Sequence, residues 1–134
     1  MSTGQQPRRH KTLLVDDDPS LLDALERAFA EAGEDVAAFG SFEEARRALQ
    51  TTAFDALITD VRLGEFNGLQ LAVIARDTYP DIRVIVFSGY DDPVLRTEAE
   101  HVHATYLVKP VAGAKLLALL HQPAGTVPAE TDNY

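Results

Sequence analysis

The 134-residue chain carries 21 acidic and 12 basic side chains, a formal net charge of −9, 46% hydrophobic residues and no cysteine. That length and balance suit one domain able to bury a core, and they exclude a disulfide framework, thiol catalysis, zinc ribbons and iron-sulfur clusters. Arg8, Arg9 and Lys11 precede every acidic residue, so from Thr12 onward 9 basic side chains face 21 acidic ones, a body that repels nucleic acid and anionic lipid.

The first apolar run, Thr12 to Val15, stops at Asp16, Asp17 and Asp18. Asp18-Pro19 reads as a helix cap followed by proline at the first helical position, with Leu21, Leu22, Leu25, Ala28, Phe29 and Ala32 at helical spacing until Gly33. Val36 to Phe39 is the second strand. Ser41 and Glu44 form a capping box over a helix bearing Phe42, Ala45, Ala48 and Leu49. Ala56 to Thr59 is a third strand ending at Asp60, and Gly64 and Gly68 bracket a loop. Asn67 caps the next helix, which runs to about Thr78 before Pro80.

Val84 to Phe87 lacks polar alternation, as expected of a strand covered on both faces. Asp92-Pro93 repeats the cap and proline, opening a helix with Leu95, Ala99 and Val102. Tyr106 to Val108 is the fifth strand, ending at Lys109-Pro110, and Val111 to His121 carries the leucines of a last helix. Strands alternating with helices imply a parallel sheet with helices on both faces. Residues 1–11 are expected to be a basic leader, 12–121 the folded domain and 122–134 a tail or linker stub. No apolar run approaches the roughly 20 residues of a membrane span, and no signal peptide opens the chain. The expectation is a cytoplasmic protein with no membrane contact.

Ligands of such sheets bind at the carboxyl ends of the strands. The polar residues there are Asp16, Asp17 and Asp18, then Asp60, Ser88 and Lys109. Several carboxylates on one rim with one ammonium call for a bound cation, and magnesium, a hard ion that takes oxygen ligands and bridges to phosphoryl groups, fits. Asp18 is accounted for as a cap. His101 and His103, with no third ligand nearby in sequence, are expected to be loop residues.

Leu-Leu-Val-Asp-Asp-Asp-Pro at 13 to 19, Leu-Ile-Thr-Asp-Val-Arg-Leu at 57 to 63, Val-Phe-Ser-Gly at 86 to 89 and Tyr-Leu-Val-Lys-Pro at 106 to 110 together resemble the receiver domain of bacterial two-component response regulators. The separations, 43 residues from Asp17 to Asp60, 28 to Ser88 and 21 to Lys109, strengthen pieces that are weak singly. The resemblance spans residues 12 to 121 and implies a flavodoxin-like, doubly wound α/β fold with a five-stranded parallel sheet of order 2-1-3-4-5 and five helices. It implies Asp60 as phosphoryl acceptor, and Asp16, Asp17, Asp60 and the Arg62 backbone carbonyl as magnesium ligands. Ser88 would contact the phosphoryl group and Lys109 would pair with it. Tyr106 would change rotamer, although an aromatic in a last strand can also be plain core. The Lys109-Pro110 bond resembles a cis peptide of the family.

The implied partners are a sensor histidine kinase or histidine phosphotransfer protein and a downstream protein or output domain. The sequence departs from the family pattern at Gly64-Glu65, Gly89, Glu100 to Ala104, Thr105 and Val111. Two other function classes are weighed against a phosphorylated switch. A degenerate receiver serving only to bind protein would normally have lost the acceptor or the lysine. An aspartate-nucleophile phosphohydrolase needs its nucleophile and general acid two residues apart after the first strand, followed closely by threonine or valine, which Asp16-Asp17-Asp18-Pro19 does not supply.

Overall fold

Lys11–Val15 forms β1 and Pro19–Glu31 forms α1; β2 is Asp35–Phe39 and α2 is Phe42–Thr51. Ala56–Asp60 is β3, and Arg62–Leu63 and Phe66–Asn67 are the short strands β4 and β5. Gly68–Thr78 is α3, Arg83–Ser88 β6, Pro93–His101 α4, Ala104–Val108 β7 and Gly113–Leu120 α5. The computed structural model describes residues 10–122. The expected leader and tail therefore lie largely outside the described residues, except that Lys11 opens β1.

β2-β1-β3-β6-β7 make one parallel sheet. Counting only its strands, this is the expected order 2-1-3-4-5, with five helices. Each strand face buries its own core. Leu13, Val15, Leu57, Val84 and Val86 pack with Phe42, Ala45 and Leu49 of α2, Leu71 and Ala75 of α3 and Ala99 of α4. Leu14, Ile58, Ile85, Phe87 and Leu107 pack with Leu25 and Phe29 of α1 and Leu116 and Leu119 of α5. Phe29 is fully buried, so Phe29→Ala would cost about 3 to 5 kcal/mol through lost transfer energy and the cavity left behind.

Local signals act as their chemistry dictates. The Asp18 carboxylate accepts the N–H groups of Ser20 and Leu21, and that of Asp92 accepts those of Val94 and Leu95. Gly33, at φ +87, lets α1 end in a Schellman arrangement, with the Glu34 N–H on Phe29 O and the Gly33 N–H on Ala30 O, both at 3.0 Å. Ser41 caps α2, but the Ser41 hydroxyl, not its backbone N–H, donates to Glu44 Oε1 at 3.2 Å.

Three segments differ from the sequence-based expectation. The expected loop bracketed by Gly64 and Gly68 is instead the tip and second strand of a short antiparallel hairpin, Arg62 pairing with Asn67 and Leu63 with Phe66. β7 begins two residues early because Ala104 and Thr105 pair with Val84 and Ile85 despite their modest apolarity. α5 begins only at Gly113, since Ala112 is extended and supplies no side-chain cap. Two arginines then tie elements together through carbonyls. Arg76 of α3 donates to Val102 O and His103 O beyond α4, and Arg83 of β6 donates to Leu119 O and Gln122 O at the end of α5.

Candidate functional site

Strand register assembles the site. Val15 pairs with Thr59 and Asp60 with Phe87, so Asp16 and Asp60 leave adjacent central strands at the same level. The Lys109 N–H donates to Ser88 O at 2.7 Å, extending the β6–β7 ladder by one residue and bringing Lys109 to the same rim. The Lys109-Pro110 bond is cis.

Asp16 is fully buried and Asp60 is 7% exposed. Lys109 Nζ lies 3.0 Å from Asp16 Oδ2 and 3.3 Å from Asp60 Oδ2, spanning the two carboxylates. Its ammonium also sits 4.9 Å from the centroid of the buried Phe87 ring. Asp16 Oδ1 accepts the Asp18 N–H at 2.8 Å, and the exposed Asp17 accepts the Gly64 N–H at 3.3 Å. Asp16, Asp17 and Asp60 each offer a carboxylate oxygen, and these atoms lie within 4.8 Å of one another.

This crowding sets the charge balance. Burial, and next the Asp16 charge, push the Asp60 carboxyl above the usual carboxylate range, although Lys109 and the Arg62 N–H pull the other way. Burial works against the Lys109 ammonium, but the hydrogen bond to Asp16 and the charges of Asp60 and Asp16 outweigh it and hold the lysine above its ordinary value. The one ammonium, paired with Asp16 and Asp60, is outnumbered by the three carboxylates of the cluster, all hard oxygen donors. The donor set fits a hard divalent cation such as magnesium.

The other sequence candidates fall around this cluster. Arg62 is in β4 with its N–H 3.4 Å from Asp60 Oδ1 and its side chain exposed. Ser88 is buried at the end of β6, and its hydroxyl accepts the Tyr90 N–H at 3.1 Å. Tyr106 is buried on the opposite face of β7 from Leu107. His101 and His103 are both exposed, but only His103, at φ +58, lies in a turn as expected; His101 is the last residue of α4 rather than a loop residue.

Sequence reasoning missed Phe87 beneath Lys109, Thr59, whose hydroxyl donates to Asp60 O at 2.9 Å, and Gly68. A Cβ at Gly68 would lie 2.0 Å from Asp60 O and 2.9 Å from Thr59 Oγ1. Only glycine lets α3 start against the backbone that presents Asp60. Its position just past Asn67, where it looked like a loop end, was the available signal.

The family model for the response regulator receiver domain matches residues 12–121. The response regulator protein FleR of Pseudomonas aeruginosa is 34% identical over 125 residues, covering 92% of this chain and 26% of that protein. The photosynthetic apparatus regulatory protein RegA of Cereibacter sphaeroides is 30% identical over 90% of this chain and 66% of its own length. The chain spans about a quarter of the length of the first curated relatives it matches. Among solved structures, a response regulator protein from Burkholderia pseudomallei with a phosphorylated aspartic acid, calcium ion and citrate is 28% identical at TM-score 0.79, over 84% of this chain and 67% of that one. A CheY-like receiver domain protein from Methanospirillum hungatei aligns at TM-score 0.80 and 24% identity, over 84% of this chain and 91% of its own, and shares the fold.

Proposed function

This chain belongs to the family of response regulator receiver domains, and we propose that within it the domain is a phosphorylation-dependent signalling switch whose acceptor is Asp60. The observation that carries this is the Lys109 ammonium spanning the buried Asp16 and Asp60 within an acidic triad at the carboxyl rim of the sheet. A switch needs a nucleophilic carboxylate held beside positive charge, and this arrangement has both.

The donor is the phosphohistidine of a sensor histidine kinase or of a histidine phosphotransfer protein. An Asp60 carboxylate oxygen forms the new bond to phosphorus while the phosphorus-nitrogen bond breaks and its electron pair returns to the donor imidazole. Asp16, Asp17, Asp60 and the Arg62 carbonyl would hold magnesium, which when bound supplies charge neutralisation at the phosphoryl oxygens. Lys109 pairs with the transferred group, and Ser88 turns its hydroxyl toward it. Position and charge do the work, so the protein is a regulator that assists its own labelling and not a turnover enzyme.

The downstream partner is a protein or an output domain. An acidic body argues against direct nucleic-acid or lipid contact by this chain, and no described helix is long and apolar enough to cross a membrane. A cytoplasmic location suits that role.

Intact-mass measurement after incubation with acetyl phosphate and magnesium tests the assignment. One labile phosphoryl group is expected on the wild type and none on Asp60→Asn; equal labelling of both would sink it. Asp17→Asn should weaken magnesium binding and slow labelling, and an unchanged magnesium titration would remove Asp17 from the ligand set.

A further inference from the structure

At the opposite end of the sheet, three residues far apart in sequence meet. His10 precedes β1, Glu34 follows the Gly33 turn that ends α1, and His121 closes α5. The Glu34 side chain is 8% exposed, and its two oxygens face the two imidazoles: Oε1 lies 3.3 Å from His10 Nδ1 and Oε2 lies 2.7 Å from His121 Nε2. The rings are 5.7 Å apart between centroids.

The His121 contact is a hydrogen bond, whereas the His10 contact is not. Among the described residues His10 Nδ1 and Glu34 Oε1 are both buried and find no hydrogen-bond partner, although they stand at ion-pair distance from each other. Two buried polar atoms left unsatisfied side by side are costly and require an explanation. Zinc binds imidazole nitrogen and carboxylate oxygen at about 2.0 to 2.2 Å, so neighbouring ligand atoms of a tetrahedral site stand roughly 3.3 Å apart. The His10–Glu34 separation matches that edge.

We propose that His10, Glu34 and His121 bind a divalent transition-metal ion of the zinc class, separate from the acidic site at Asp60. Imidazole with carboxylate selects zinc over magnesium, just as the all-oxygen triad of Asp16, Asp17 and Asp60 selects magnesium. Each imidazole now faces its own carboxylate oxygen. His121, whose side chain is 56% exposed, turns on the rim to bring its nitrogen onto the ion, with water completing the coordination. The six residue steps from His10 to Asp16 along β1 separate this site from the triad by about 20 Å, at the rise of an extended strand. A bound ion would clasp the segment entering β1, the α1–β2 turn and the end of α5.

Calorimetric titration of the full chain with zinc, in an excess of magnesium that occupies the acidic triad, tests this. The expected result is one zinc per chain, with His10→Gln and His121→Gln each weakening binding at least tenfold. The chain has four histidines, and His101→Gln with His103→Gln should leave uptake unchanged. Cobalt in place of zinc should show the intense visible bands of a four-coordinate site in the wild type and lose them in His121→Gln. Metal-free melting curves of the variants establish that they are folded. Absence of zinc uptake, uptake retained in both His10→Gln and His121→Gln, or uptake lost with His101 and His103 would overturn the proposal.

Discussion

The Tyr106 hydroxyl donates a hydrogen bond to the backbone carbonyl of Tyr90 at 2.7 Å. The Tyr90 N–H in turn donates to Ser88 Oγ at 3.1 Å, so one residue of the β6–α4 connection joins the hydroxyl at the site to the ring behind it. The ring is buried and lies under the Arg96 guanidinium, 4.8 Å from its centroid. If Ser88 turned toward a phosphoryl group on Asp60 it would give up the Tyr90 N–H, leaving Tyr90, whose carbonyl holds Tyr106, with one bond fewer.

Tyr106→Phe should therefore lower stability by about 1 kcal/mol, the net worth of one neutral hydrogen bond. Backbone NMR with beryllofluoride, an acyl phosphate mimic, should show shifts spreading from Asp60 through Ser88, Tyr90 and into α4 in the wild type, and less far in the variant. Identical shift patterns in both proteins would mean that Ser88 and Tyr106 are not coupled.

Lys109→Ala removes the ammonium from a carboxylate that has no exposure at all. Breaking a buried pair by deleting one partner costs about 3 to 5 kcal/mol because a bare charge stays behind; with the Lys109 side chain 24% exposed, the lower figure of about 3 kcal/mol is expected. Urea denaturation at neutral pH measures it. Magnesium should recover part of the loss by supplying charge to the same carboxylates, and a variant insensitive to magnesium would contradict the shared site.

The raised pKa of Asp60 fixes a pH dependence for the metal-free protein. A carboxyl whose folded value exceeds its unfolded value, near 3.9, favours folding fully below the unfolded value and loses that contribution as pH rises through the folded one. Metal-free Asp60→Asn should thus be more stable than wild type at pH 7, with the difference shrinking as pH falls toward 4. Melting curves across that range decide it, and a difference that grows toward acid would reverse the assignment.

Caps and turns were legible because they are local chemistry: Asp18-Pro19 and Asp92-Pro93 start helices with the bonds their side chains dictate. The acidic pair, Asp60, Ser88 and Lys109 were legible because strand ends in a parallel sheet share one rim. What stayed hidden depends on pairing across the chain. Ala104 and Thr105 become strand only by lying against Val84 and Ile85, and the early end of the Asp60 loop in a β4–β5 hairpin carries no apolar period. Glu34 and the two outer histidines could not be connected from sequence, since His10 and His121 meet only once α5 packs against α1.

Gly68 offers the sharpest test of how the backbone presents Asp60. Its N–H donates to Val61 O at 2.6 Å, and the space beside its Cα is filled by the Asp60 carbonyl. An alanine methyl there meets backbone on one side and the buried Thr59 hydroxyl on the other, neither of which can swing away as a flexible side chain would. Overpacking of this kind costs about 1 to 3 kcal/mol, and relief requires that Asp60 or the start of α3 move. Gly68→Ala should therefore lose stability in urea and also slow acetyl phosphate labelling of Asp60, whereas a change at an exposed helix position such as Val73→Ala should leave labelling intact. Normal labelling by a Gly68→Ala protein of normal stability would show that the contact does not hold the acceptor in place.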